Sequence, residues 1–177
     1  MLTATYSIVA ISAEQKNARK TLARLQQSIG NVWKNFQEID LASVEIAIHK
    51  LTQFDHFFHS RKLERYVIPA IKNATHEIDP LLAELEALSA FCVRILQSLP
   101  HQVRQALDQG IAKQKELRRA MELYCSNLHL RLVKEEQELL PLVQQVLSGD
   151  EIFELGAQFL ADDEKKYQDQ QAKIEGT

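Results

Sequence analysis

Apolar residues recur three and four positions apart along almost the whole chain, the spacing of one face of an α-helix. In a first segment, from about Ser12 to Ile29, that face is Ala18, Leu22, Leu25 and Ile29, and Gly30 follows as a C-cap. A second runs from about Leu41 to Asn73 with Asp40 as its N-cap. At about 1.5 Å per residue it would span roughly 50 Å, a length that suits a helical bundle. A third starts at Asp79-Pro80, an N-cap followed by a first-turn proline, and reaches about Gln97. Ser98-Leu99-Pro100 breaks it and Gly110 marks a second irregularity, so a fourth helix starts at one or the other and reaches about Leu147. Ser148-Gly149-Asp150 then caps a shorter helix, Glu151 to about Tyr167, and the polar tail 168–177 is expected to fray. Four long amphipathic helices and a short one predict an all-α fold. The arrangement expected is an antiparallel up-down four-helix bundle over about 11–147 with a short fifth helix over about 150–167, in one domain spanning 1–177.

Composition narrows the function classes. Hydrophobic residues make up 45% of the 177 and charged residues 25%, enough for a buried core, while 5 Gly and 4 Pro are too few for the turns of a sandwich or barrel. A net charge of −3 argues against a nucleic-acid partner, whose binders carry a basic excess. The N-terminal stretch Met1 to Ala10 has no basic residue and only a short apolar run, so neither a signal peptide nor a membrane span is expected. Cys92 and Cys125 form no CxxC pattern and read as buried, reduced thiols, which makes the cytoplasm the expected compartment. No Gly-x-Ser-x-Gly elbow, phosphate-cradling glycine loop or HExxH is present, so no catalytic residue is assigned and the chain reads as a non-enzyme.

One internal echo carries chemistry. His59-Ser60-Arg61-Lys62-Leu63-Glu64-Arg65-Tyr66-Val67-Ile68-Pro69 shares a frame with Arg131-Leu132-Val133-Lys134-Glu135-Glu136-Gln137-Glu138-Leu139-Leu140-Pro141. Both open on a basic or imidazole residue, place Glu sixth, and end on Pro after an apolar pair, which makes the second and fourth helices pseudo-symmetric partners. A proline inside a helix removes one hydrogen bond and kinks or ends it. With this frame, the run Glu135 to Val143 and the following Val146 to Leu155, the chain resembles the hemerythrin-like (HHE cation-binding) family of bacterial four-helix bundles. That resemblance implies a di-iron pair held by inward-facing His and carboxylate ligands, and oxygen binding, iron handling or sensing of oxygen and nitric oxide. Carried over position by position, it sets Gln15 and Ser89 where the family has His, Leu63 where it has Glu, and Arg131 where it has His. Among the ligand positions only His59 and Glu135 keep a metal-binding side chain, with Glu136 beside them. Leucine cannot ligate and a guanidinium stays protonated, so the set implied is degenerate and no bound cofactor is expected. Arg131 and Glu135, four apart, are placed to pair with each other.

The remaining histidines favour blander readings. His49 and His56 fall away from the stripe of Leu51, Phe54 and Phe58 and read as solvated, while His59 lies at its edge, half-buried and hydrogen-bonded or else a ligand. His76, His101 and His129 are isolated. A weak mononuclear site using His59 with Glu135 or Glu136 stays open if the second and fourth helices meet. Phe54, Phe57, Phe58 and Phe91 read as core, Lys113 to Glu122 as a solvated charged face, and Trp33 and Phe36 as a bundle lid or an interface. Two functions follow: a metal-free bundle acting as a binding or regulatory module on a protein partner or as a homodimer, and an iron-binding protein with an altered site. In addition, Arg131-x-Val133-x-Glu135-Glu136, with Glu64 five after His59, is similar to helical bundles that bind the principal bacterial sigma factor as anti-sigma regulators.

Overall fold

The computed structural model describes residues 2–34 and 40–175, with side chains described for all of these except 2–5, 170 and 173–175. All regular structure among them is helical: α1 (Leu2–Val32), α2 (Leu41–His59), α3 (Ile68–Ala74), α4 (Asp79–Gln109), α5 (Ile111–Lys134), α6 (Leu140–Val146) and α7 (Gly149–Glu175). None is long and apolar enough to cross a membrane. The central element is α1, which packs on α2, α5 and α7, while α4 packs on α5 and α2.

Several boundaries differ from the periodicity, each for a local reason. The first helix begins ten residues earlier than Ser12 and passes through Gly30, which is no C-cap. Asp40 does cap α2, its carboxylate accepting the Ala42 and Ser43 N–H groups, each at 3.2 Å. The long helix expected over 41–73 is two, because α2 stops at His59 and the chain resumes as a π-helical turn, Leu63–Val67. Asp79 lies inside α4 rather than capping it, and the expected break at Ser98-Leu99-Pro100 is absent: α4 continues to Gln109 with Pro100 on its exposed side. The break is Gly110, whose φ of 78° and ψ of −155° suit only a residue without a side chain. Ser148 and Glu151 form a reciprocal cap ahead of α7, the Ser148 N–H donating to the Glu151 carboxylate and the Glu151 N–H to Ser148 Oγ. At 27 residues α7 is not short, and it stays helical as far as Glu175, well into the stretch expected to fray.

The internal echo has a structural counterpart. A second π-helical turn, Glu135–Leu139, occupies the same five places of its frame as Leu63–Val67 does of the first. In each, the N–H after the turn reaches a carbonyl five residues back: Ile68 to Leu63, and Leu140 to Glu135. Pro69 and Pro141 come next. A proline ring collides with the carbonyl four residues back in an α-helix, and a widened turn relieves that collision while tolerating the lost donor.

Buried apolar side chains form two clusters. One holds Leu22, Leu25, Leu51, Phe58, Leu99, Leu128 and their neighbours; the other holds Ile11, Leu63, Ile71, Leu85, Leu139, Phe159 and theirs. Trp33, in the turn after α1, is buried against the first cluster, and Phe36 lies outside the described residues. Phe91 is a correction too: it is exposed, with the Arg94 guanidinium 5.8 Å from its ring, and is no core residue.

Candidate functional site

Between the two apolar clusters lies a polar layer, and each of its members interrupts an otherwise apolar helix face. Gln15 falls between Ile11 and Ala18, Arg61 between Phe58 and Leu63, Ser89 between Leu85 and Cys92, and Glu135 between Leu132 and Leu139. Four different segments, among them the bend after α2 that carries Arg61, therefore deliver polar groups to one level of the core.

The centre is Arg61, whose side chain is wholly buried. Its Nε donates to the Phe58 carbonyl at 2.9 Å. Nη1 donates to Gln15 Oε1 and Glu135 Oε2, each at 2.9 Å. Nη2 donates to Glu135 Oε1 at 2.9 Å and Glu64 Oε1 at 3.3 Å. All five guanidinium donors are thus used, and the Phe58 ring covers the plane 3.7 Å below. The Glu135 carboxylate, equally buried, also accepts Gln15 Nε2 at 2.9 Å and lies 3.1 Å from Arg131 Nε. Arg131 reaches Ser89 Oγ through one terminal nitrogen and Glu64 at 2.5 Å through the other. Two guanidiniums against two carboxylates make the layer neutral, which is what allows four charges to stay inside.

Of the positions singled out in the sequence, the layer gathers Gln15, Ser89, Arg131 and Glu135. Leu63 does not join it but packs in the second apolar cluster. His59 turns away, half exposed, with Nε2 3.8 Å from Asp55. Glu136 points to the surface, where Arg19 holds it with two nitrogens. The open mononuclear arrangement of His59 with Glu135 or Glu136 is therefore corrected: the three residues pair with three different partners. Among the described residues no three His, Cys, Asp or Glu side chains converge as a metal-holding group. The donors that do converge, an amide, a hydroxyl and two carboxylates already paired with Arg61 and Arg131, do not fit an iron pair.

Sequence reasoning missed Arg61. Arg61-Lys62 stands in the repeated frame with no role assigned to it, and the break after His59 turns both inward. A buried Glu135 needing more than Arg131 to balance it was the available signal. Lys62 is the companion: its N–H donates to Glu14 at 2.7 Å and its Nζ to Asp163 at 2.6 Å, tying α1, the first π-turn and α7 together. Beside it, Asp162 accepts Arg65 at 2.6 Å and Tyr66 at 3.1 Å and lies 2.8 Å from Lys166. Burial pushes the Asp162 carboxyl upward, but hydrogen bonds from Lys166, Arg65 and Tyr66 outweigh it and hold the group at about 2. A carboxyl depressed on folding stabilises fully above its unfolded value, near 3.9, and loses that contribution as pH falls toward 2. Asp162→Asn is accordingly expected to cost about 1–2 kcal/mol near neutrality and progressively less below about pH 4, read by urea unfolding across that range.

The other buried chemistry is inert. Burial pushes the Cys92 and Cys125 thiols up to about 12, and both cysteines are free, so neither is a nucleophile. Tyr124 donates to Asp55 Oδ1 at 3.1 Å, and burial raises its phenol. His49, His56 and His76 are exposed. Comparison of the chain with family models, with curated proteins and with solved structures finds no match for it.

Proposed function

We propose that the chain is a hemerythrin-like helical bundle of antiparallel up-down type, a single cytoplasmic domain over 1–177, in which charge pairing has replaced a metal centre. In this reading it catalyses nothing and works as a binding or regulatory module for a protein partner. The observation that supports it is the Arg61–Glu135 pair at 2.9 Å, reinforced by Arg131. The one carboxylate kept at a ligand position is engaged by two permanent cations, and a guanidinium neither ligates nor gives up its proton. Elemental analysis of protein purified from iron-supplemented cells, with a near-ultraviolet and visible spectrum, tests this. The expected result is far less than one iron per chain and no oxo-bridge absorption. Stoichiometric iron with such bands would instead favour the iron-binding reading, with oxygen or nitric oxide sensing or iron handling through an altered site.

The anti-sigma resemblance gains from a separate observation. Of its residues, Glu64 and Glu135 each pair with Arg131, whereas His59 and Glu136 pair elsewhere. Arg131 and Glu135 are buried, so in this second reading they organise the scaffold and the partner meets some other surface. Titration calorimetry with purified principal sigma factor is expected to give a Kd of about micromolar or tighter. Absence of heat and of co-sedimentation would remove the sigma reading and leave the first standing.

A further inference from the structure

Two surfaces lack a partner among the described residues, and their chemistry is complementary. The first is a cleft of about 380 Å³ between α1 and α2. Leu25, Phe54 and Phe57 line its floor, with Arg24 and Lys50 among its walls and no carboxylate. From Gln15 to Lys34 the chain carries Lys16, Arg19, Lys20, Arg24 and Lys34 and not one Asp or Glu, in a protein whose net charge is −3. Arg19 is neutralised by Glu136. Lys16, Lys20, Arg24 and Lys50 make no ion pair among the described residues.

The second is the outward face of α7. Phe153, Leu160 and Tyr167 are exposed at seven-residue steps, so they form one stripe along the helix. At about 100° per residue, Glu164 lies about 40° and Asp150 about 80° from the centre of that stripe, and neither has a partner among the described residues. Leu155, Phe159 and Asp162, which fasten α7 to its own chain, occupy the opposite side. The stripe is therefore turned away from its own molecule. It is about 21 Å long, and the Asn17–Ser28 wall of the cleft about 16 Å, by helical rise.

We propose that the chain self-associates by seating the α7 stripe of one copy in the α1–α2 cleft of another. Phe153, Leu160 and Tyr167 cover the Leu25, Phe54 and Phe57 floor, and Asp150 and Glu164 meet Arg24, Lys50 and the lysines that continue along α1. An acidic amphipathic helix laid in an apolar groove with basic walls is an established mode of helix recognition. Here the matching helix is in the chain itself. The two faces differ, and the contact closes into a two-fold dimer when two copies exchange helices reciprocally. The proposal is independent of whether the buried layer ever held metal.

Sedimentation equilibrium of the full chain from micromolar to submillimolar concentration tests it. The wild type is expected to associate, and more weakly as salt screens the charges. Arg24→Glu with Lys50→Glu in one variant, and Asp150→Lys with Glu164→Lys in another, should each weaken self-association by about tenfold or more. Equimolar mixing of the two should restore it, because the reversed helix then fits the reversed cleft. All four side chains are exposed and unpartnered, so both variants should keep the wild-type circular dichroism. A wild type that stays monomeric, association indifferent to salt or to both reversals, or a mixture that fails to recover would each overturn the proposal.

Discussion

Glu135→Ala is expected to lower the unfolding free energy by about 3–5 kcal/mol, a large part of the roughly 5–15 kcal/mol that holds a domain of this kind together. The reason is what stays behind. Arg61 and Arg131 are both buried and both rest on Glu135, so its removal leaves two interior cations sharing Glu64 alone. Glu64 is itself partly exposed and reaches the layer from its rim. Gln15 loses the acceptor for its amide N–H group, adding the cost of an unsatisfied buried donor. Urea unfolding followed by far-ultraviolet circular dichroism measures the loss. Glu122→Ala is the control, since it breaks the exposed Arg118–Glu122 pair and should cost less than about 1 kcal/mol. A Glu135 variant as stable as that control would mean that water or a second carboxylate neutralises the guanidiniums.

How much of this could be read beforehand depends on how local its cause is. Helix content followed from apolar spacing, because Ala18, Leu22, Leu25 and Ile29 mark the buried side of α1 whatever packs against it. The Asp40 cap was legible for the same reason: its acceptors lie two and three residues on. The break after His59 was not, since Phe58 and Leu63 are both buried and the apolar pattern runs on across it. Pro100 misled in the other direction. Its disruption is limited because Leu99 and Ala106 are buried on either side and hold α4 together through it. In the polar layer, the Arg131–Glu135 contact was legible as a four-residue spacing on one helix. Arg61 was not, because a cation followed by another cation is solvated unless tertiary structure folds it in. Arg131 with Glu64 spans 67 positions, and no local rule connects them.

Replacing the layer as a whole should reverse the sign. Gln15→Met, Arg61→Met, Arg131→Met and Glu135→Leu combined are expected to leave stability unchanged or to raise it by up to about 4 kcal/mol, although adding up the separate losses would forecast an unfolded chain. A lone deletion strands charges. Removing both arginines together with Glu135 and Gln15 leaves no wholly buried charge behind, and it abolishes the desolvation cost that the pairing only offsets. Methionine has a length close to that of the arginine stem and makes favourable contacts with an aromatic ring, so Phe58, which both guanidiniums now cover, keeps neighbours on its face. Glu64 and Ser89 are not wholly buried and can turn to water. The apolar clusters above and below would then merge into one continuous core. What such a core lacks is a reason for the helices to keep one register, since apolar contacts are interchangeable in a way that five directed donors on Arg61 are not. The variant should therefore be stable yet less uniquely packed, with broadened methyl resonances at a retained unfolding midpoint. A combined variant that loses as much as the single changes summed would show that the charges attract more than their burial costs. In that case the layer stabilises the fold outright, and a role confined to fixing how the helices fit would be wrong.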